Sequence, residues 1–214
     1  MLIFKKNKFK GLILDFDGTV VDSEIKRLNT YKLSIKQIAG INIEIQKHKL
    51  IGRTEKENLN YLCTKYGIKD EQIKIKEQRK NLLLDEAKKG FNKISVTSKI
   101  IDNLFGKIPM IIASNSSTDY LKAALKKTSL EKIPFVSIND VNHGKPEPDL
   151  FIMASKMINV SNEKCLVLED SEIGCQAAKN AKMDYIQIVN FESKKNNQVR
   201  ADDQSASNKI VDLF

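Results

Sequence analysis

Two carboxylates separated by one residue, Asp15 and Asp17, could hold a cation and act together on a bound anion. In extended backbone the side chains of residues i and i+2 lie on the same side, so both carboxylates can face one pocket. Gly18 follows them and allows a sharp turn with close approach of a ligand to backbone amides. A calcium-binding loop needs its glycine at the sixth position, whereas here glycine is fourth, so that alternative is excluded.

Three other polar clusters complete a possible site for a phosphoryl group. Glu169 and Asp170 form a second acidic pair, which would repel the first unless a cation lay between them, and oxygen-only ligation favours Mg²⁺ over Zn²⁺. Ser114 and Asn115 offer a hydroxyl and adjacent amides, and Lys145 offers an ammonium group. These are the groups that stabilise the charge on phosphoryl oxygens. Each feature alone is common in loops, and only the combination indicates a site.

The clusters follow short apolar segments that are typical of buried strands. The predicted strands cover residues 11–14, 109–113, 134–138, 165–168 and 185–189, and the predicted helices cover residues 118–127, 148–158 and 173–181. Strands that alternate with helices predict an α/β fold with a parallel sheet covered on both faces. Ligands of such sheets bind beyond the carboxyl ends of the strands, where the polar clusters lie.

A long charged stretch from Ser23 to Lys89 interrupts this alternation. It has helical patterns and no segment typical of a buried strand, which predicts an all-helical insert after the first strand. Residues 192–208 form a polar tail, and residues 210–214 are expected to pack back on the core.

Composition restricts the class of protein. The 214 residues carry a net charge of +9 from scattered lysines, without the aromatic RNA-binding motif or arginine-rich run that would indicate nucleic acid as a partner. No segment is apolar for long enough to span a membrane or to act as a secretory signal, so we expect a soluble, cytoplasmic protein. The three cysteines show no C-x-x-C spacing, which argues against disulfides or a zinc site.

Four segments together resemble the haloacid dehalogenase-like superfamily. They are Asp15-Phe-Asp-Gly-Thr-Val-Val-Asp-Ser, the position of Ser114, Gly144-Lys-Pro-Glu-Pro-Asp-Leu-Phe and Leu168-Glu-Asp-Ser-Glu-Ile-Gly, and they span nearly the whole chain. The helical insert is similar to the small cap domain of the phosphoglycolate phosphatase and β-phosphoglucomutase branch. The resemblance implies a Rossmann-like core of residues 1–22 and 91–214, with a helical cap domain of residues 23–90 that opens and closes over the substrate.

The resemblance also implies roles for individual residues. Asp15 would be the nucleophile that forms an aspartyl-phosphate, and Asp17 the general acid and base, with nearby negative charge raising its pKa. The implied phosphate-binding residues are Asp15, Gly18, Thr19, Ser114, Asn115 and Lys145. The implied Mg²⁺ ligands are Asp15, Asp170 and the Asp17 carbonyl, and Glu169 would either join the metal ligands or orient them.

Position 17 favours one reaction within the superfamily. Dehalogenase and phosphonatase members lack this aspartate, whereas an ester oxygen that leaves needs a proton, so the resemblance implies a phosphatase acting on a small phosphorylated metabolite. A sugar-phosphate mutase and a catalytically inactive binding or regulatory protein are the alternatives. Relatives of the mutase type carry an arginine where this chain has Glu55 or Lys56, which argues against a mutase.

The cap and the end of the last predicted helix add two local expectations. Arg53, in the cap loop, would either contact a second anionic group of the substrate or lie on the surface. Lys182 stands where relatives have a glycine that ends a helix, so we expect it to adopt the left-handed conformation. We expect a monomer or weak homodimer.

Overall fold

A computed structural model describes residues 5–50, 54–126, 128, 130–189 and 198–214. The elements in chain order are β1 (Gly11–Leu14), β2 (Val21–Asp22), α1 (Glu24–Ala39), α2 (Lys47–Leu50), α3 (Glu55–Lys65), α4 (Gln72–Lys89), β3 (Asn92–Lys93), α5 (Ser95–Leu104), β4 (Met110–Ala113), α6 (Thr118–Leu125), β5 (Phe135–Val136), α7 (Asp149–Met157), β6 (Cys165–Glu169), α8 (Glu172–Asn180), β7 (Asp184–Val189), β8 (Gln198–Arg200) and α9 (Gln204–Val211).

The main sheet is parallel and confirms the α/β, Rossmann-like prediction. Within the described ranges it has six strands in the order β5-β4-β1-β6-β7-β8, and every neighbouring pair runs parallel. The strand β1 lies between β4 and β6, so the segments that follow these three strands meet at one edge of the sheet.

Both faces of the sheet are covered because successive residues of each central strand are buried on opposite faces. Leu12 and Leu14 pack into a cluster with α5, α6 and α9, whereas Ile13 between them packs into a second cluster with α7 and α8. Strands buried on both faces need apolar residues at every position, which explains the short uninterrupted runs in the sequence.

The helices between residues 24 and 89 have an apolar cluster of their own. Its buried members include Tyr31, Ile35, Leu59, Leu62 and Ile75. On either side of this helical segment, β2 and β3 form a two-stranded antiparallel ladder that pairs Val21 with Lys93. The helical segment therefore leaves and rejoins the rest of the molecule at one place.

Several local predictions are confirmed, whereas α5, α9 and the short strands β2, β3 and β8 were not predicted. Lys182 has a φ of 56°, and the C-terminal residues Ile210 and Leu213 are buried against the sheet. The strand β5 is shorter than predicted, because Ile138 already begins a 3₁₀ turn. The strand β8 lies within residues 192–208, for which the sequence predicts only a polar tail.

Among the described residues, no helix combines the length and the apolar character that a transmembrane span needs.

Candidate active site

The ends of three adjacent strands bring the predicted acidic residues and serine together. Asp15 follows β1, Ser114 follows β4, and Glu169 and Asp170 end and follow β6. The backbone N–H of Asp15 donates to the carbonyl of Leu168, which ties the first strand end to the third. Parallel pairing therefore places residues that are distant in sequence side by side.

Lys145 contacts two of these carboxylates from the loop before α7. Its Nζ lies 2.5 Å from Asp15 Oδ1 and 3.0 Å from Glu169 Oε2, and the residue is only 4% exposed. The two carboxylates hold the pKa of Lys145 above its ordinary value even though burial lowers it. The ammonium group therefore stays charged beside Asp15. We call Asp15, Lys145, Glu169 and Asp170 the acidic floor.

The acidic floor suits a divalent cation. Carboxylate oxygens of Asp15, Glu169 and Asp170 lie within 4.8 Å of one another. Burial and the charge of Glu169 raise the pKa of Asp15 to about 8, and the same causes raise the pKa of Asp170 well above its ordinary value. Lys145 alone cannot balance the three carboxylates, two of which are buried, and hard oxygen ligands of this kind fit Mg²⁺.

Glu169 is fixed at both of its oxygens. Its Oε1 accepts a hydrogen bond of 2.5 Å from Ser171 Oγ, and its Oε2 accepts one of 3.0 Å from Lys145 Nζ. Gly174, at the start of α8, leaves the space that this carboxylate fills, since a Cβ there would lie 1.9 Å from Glu169 Oε1. These contacts fix the orientation of the Glu169 carboxylate beside Asp15 and Asp170.

The side-chain amide of Asn115, a predicted phosphate-binding residue, is hydrogen-bonded to the Lys145 backbone. Its Oδ1 accepts a hydrogen bond of 2.9 Å from the Lys145 N–H, and its Nδ2 donates one of 3.3 Å to the Lys145 carbonyl. A Cβ on Gly144 would lie 2.5 Å from the Asn115 oxygen, so a glycine is needed beside it. The Asn115 side chain positions the loop that carries Lys145.

The other residues that were predicted to bind phosphate lie around the floor. Ser114 is buried, and its Oγ accepts a hydrogen bond of 3.1 Å from the Ser116 N–H. Gly18 has a φ of 90°, and a Cβ there would lie 2.1 Å from Asp170 Oδ2. Thr19 is buried, and its Oγ1 has no hydrogen-bond partner among the described residues.

Asp17 accepts hydrogen bonds from four side chains. Ser23 Oγ and Tyr120 Oη each lie 2.6 Å from its Oδ1, while Ser116 Oγ and Arg27 Nη1 lie 2.6 Å and 2.9 Å from its Oδ2. Together these four donors satisfy both carboxylate oxygens.

The pKa of Asp17 is lowered, which differs from the expectation that nearby negative charge raises it. Burial does raise this pKa, but the Arg27 charge and the hydrogen bonds from Ser116, Ser23 and Tyr120 outweigh burial. Asp17 is therefore held as a carboxylate in this structure. These donors were not predicted from the sequence. The spacing of Ser23 and Arg27, four residues apart, does place their side chains on the same side of a helix turn.

A cavity of about 190 Å³ lies between the acidic floor and the helical segment. Asp17, Gly18 and Asp170 line one part of it, and α1, α3 and α4 line the rest. Cavities that hold drug-sized ligands are usually larger than about 300 Å³, so this one suits a small metabolite. Its lining includes two arginines, Arg27 and Arg79, that the sequence analysis did not select. Arg53, which it did select, lies outside the described residues.

Comparisons with known proteins agree on one family. The family model described as haloacid dehalogenase-like hydrolase matches residues 12–188. A phosphorylated carbohydrates phosphatase of Thermotoga maritima is 26% identical over 83% of this chain and 83% of its own length. A fructose-1-phosphate phosphatase of Escherichia coli is 24% identical over 85% of this chain and 97% of its own length.

A solved structure confirms the fold. The crystal structure of a β-phosphoglucomutase from Clostridium difficile superposes with a TM-score of 0.73, at 20% sequence identity, over 95% of this chain and 99% of that one.

Proposed function

The chain belongs to the haloacid dehalogenase-like hydrolase family and is a phosphohydrolase, and on that premise we propose that it hydrolyses small phosphomonoesters through a phosphorylated Asp15, with Mg²⁺ as cofactor. The observation that carries the proposal is the contact of 2.5 Å between the buried Asp15 carboxylate and Lys145, beside a cluster of carboxylates that suits a divalent cation. Phosphoryl transfer requires a positioned nucleophile with positive charge beside it, which Lys145 and a bound cation would supply. The names of the two phosphatase relatives support metabolite-sized substrates.

The proposed reaction has two steps. An Asp15 oxygen attacks phosphorus while the bond from phosphorus to the ester oxygen breaks, and Asp17 gives its proton to that oxygen, which leaves as an alcohol. Asp17 then takes a proton from water as the water oxygen attacks phosphorus, which releases phosphate and restores the Asp15 carboxylate. Lys145 and Ser114 bind the phosphoryl oxygens in both steps. Mg²⁺, held by Asp15, Asp170 and the Asp17 carbonyl, would supply further positive charge when bound.

Asp17 must gain a proton before the first step. Arg27 is the charged group that keeps this carboxyl ionised. An arriving phosphoryl group is a competing anion for the same guanidinium. Once Arg27 turns to the substrate, burial and the neighbouring acidic floor raise the pKa of Asp17, which then serves as the acid. Substrate binding would thus prepare its own proton donor.

We propose that residues 23–90 form a cap over a catalytic core of residues 1–22 and 91–214. Support comes from the separate apolar cluster of the helices and from the β2–β3 ladder beside its two boundaries. The cavity lies where this cap faces the floor. Its closure would exclude water from the phosphoryl group during the first step.

The direct test is release of inorganic phosphate from a panel of phosphorylated metabolites with Mg²⁺. We expect turnover that a chelator removes and added Mg²⁺ restores, and a loss of at least about 10⁴-fold in kcat for Asp15→Asn, because the nucleophile is gone. Asp102→Asn, a change at an exposed aspartate of α5, is the matched control. Near-normal turnover of Asp15→Asn would overturn the mechanism.

Two other outcomes would support the alternatives. Isomerised sugar phosphate without release of phosphate would indicate a mutase. A folded protein that binds phosphorylated metabolites and turns none of them over would indicate a binding or regulatory role.

A further inference from the structure

The part of the cavity wall formed by α1, α3 and α4 contains a buried arginine, a carboxylate and a side-chain amide. Arg79 of α4 is only 2% exposed, is paired with the Glu55 carboxylate, and lies with its guanidinium carbon 3.7 Å from the centre of the Tyr31 ring. Asn58, one turn after Glu55 on α3, lines the same cavity. We call Glu55, Asn58 and Arg79 the helical wall. A capping box between Thr54 and Glu57 fixes the start of α3 and so the position of Glu55.

Both arginines that line the cavity are already paired with carboxylates. Arg27 pairs with Asp17 and Arg79 with Glu55, so within the described part of the chain the lining offers no uncommitted guanidinium to a second anionic group. The Glu55 side chain remains 44% exposed and lines the cavity. A carboxylate or second phosphate at this end of a substrate would therefore approach the Glu55 carboxylate, and the described lining residues supply no unpaired cation to compensate.

The helical wall also contains one donor and one acceptor that lack partners. Arg79 Nε and Asn58 Oδ1 are buried and have no hydrogen-bond partner among the described residues, while Asn58 Nδ2 donates to the Leu50 carbonyl at 3.1 Å. Unpaired buried polar atoms are costly, and such a pair is a reason to expect a ligand. Hydroxyl groups can both donate and accept, whereas a carboxylate only accepts and cannot satisfy Asn58 Oδ1.

We propose that the helical wall binds the uncharged, hydroxyl-bearing end of a polyol or sugar phosphate and discriminates against substrates with a carboxylate or second phosphate there. This inference rests on the phosphatase function proposed above and names its substrate class. Glu55 accepts from substrate hydroxyls and repels anions, Asn58 accepts from a hydroxyl, and Arg79 orients Glu55 while offering its Nε–H as a donor.

The test compares pairs of substrates that differ only at the far end. Sorbitol 6-phosphate and 6-phosphogluconate differ by a terminal hydroxymethyl or carboxylate, and so do glycerol 3-phosphate and 3-phosphoglycerate. We expect kcat/KM to favour the hydroxymethyl member of each pair by at least about tenfold, since a site built for hydroxyls rejects analogues that leave its polar groups unpaired. Glu55→Gln should reduce that preference about tenfold, mainly through KM, because it removes the repelling charge and frees Arg79.

Glu77→Gln, a change at an exposed glutamate of α4, is the matched control and should leave the preference unchanged. Thermal melts and hydrolysis of p-nitrophenyl phosphate, which carries no hydroxyls, show whether each variant is folded and competent. A second variant, Asn58→Ala, should weaken kcat/KM for sorbitol 6-phosphate more than for p-nitrophenyl phosphate.

The outcomes separate this inference from the function on which it rests. If no phosphomonoester, p-nitrophenyl phosphate included, is hydrolysed in an Asp15-dependent way, the phosphatase function itself fails. If hydrolysis depends on Asp15 but the carboxylate members are equal or preferred, or if Glu55→Gln leaves the ratio unchanged while the variant is folded and active, the substrate class assigned here is wrong.

Discussion

The acidic floor and the helical wall (Glu55, Asn58 and Arg79) meet at one cavity, which is lined by all three wall residues and, of the floor, by Asp170, but the two are built differently. Each member of the floor lies on the parallel-sheet core, at a strand end or in a loop packed on it, and direct contacts connect the floor residues across the sheet edge. The members of the wall project from α3 and from the first two-thirds of α4, whose Ile75 packs in an apolar cluster separate from that of the sheet, whereas Ala87 near the end of α4 joins the sheet cluster. We therefore expect a division of roles, in which substitutions in the floor change kcat and substitutions in the wall change the preference for one substrate over another.

Loss of the floor ammonium should give the largest effect. We expect Lys145→Met to lower kcat by about 10³-fold, because it removes the buried ammonium group that would stabilise the charge on the phosphoryl oxygens. Steady-state kinetics with any accepted phosphomonoester measure this, and Lys107→Met, at an exposed lysine, is the control. A change confined to KM would contradict the division, since it would make Lys145 a residue of substrate selection.

Arg27 is the sharper test, because it lies on α1 and yet contacts Asp17, which follows β1. Arg27→Met removes the charge that lowers the pKa of Asp17, so that pKa rises. The acid then keeps its proton to higher pH, and the high-pH limb of the kcat/KM profile should move up by about one pH unit or more. Arg27→Lys keeps a positive charge and should move the limb less. Superimposable profiles for Arg27→Met and the unaltered protein would show that Arg27 does not control Asp17.

The smallest expected effect is on how much Mg²⁺ raises the Tm at different pH values. Asp15 has an ordinary pKa of 3.8 and a pKa of about 8 in the metal-free fold, because burial and then Glu169 oppose its charge. The folded state thus holds a proton that the unfolded chain has lost, and this group's contribution to stability falls as pH rises from about 4 to 8. Mg²⁺ must displace that proton, so its gain in Tm should be larger at pH 8 than at pH 6, by a few degrees at saturation. An equal gain at both pH values would contradict a protonated Asp15.

The floor could be predicted from sequence and the wall could not, for a physical reason. Asp15, Glu169 and Asp170 each stand at a visible change from an apolar run to acidic residues, and parallel strands must end at a common edge. Arg79 is one of many charged residues along α4. Only the packing of α4 on α1 and α3 decides that this one is buried, so sequence periodicity gives no reason to choose it.

The same distinction explains two smaller differences. The edge strand β8 has one apolar residue, Val199, between two polar ones, and its pairing with β7 is made by backbone groups that carry no sequence pattern. The lowered pKa of Asp17 depends on Tyr120 and Ser116, which approach it from α6 and from the loop before that helix. In both cases the deciding partner is distant in sequence.

The ladder between β2 and β3 has a consequence for how this architecture can diversify. The polypeptide departs toward α1 at Val21 and comes back at Lys93, and these two residues are direct partners. Because the points of departure and return already touch, the segment between them can be lengthened, shortened or exchanged without changing the alignment of the parallel strands. The same strand-end residues can then be combined with different helical segments. A new substrate preference can arise when one continuous stretch of the gene is replaced.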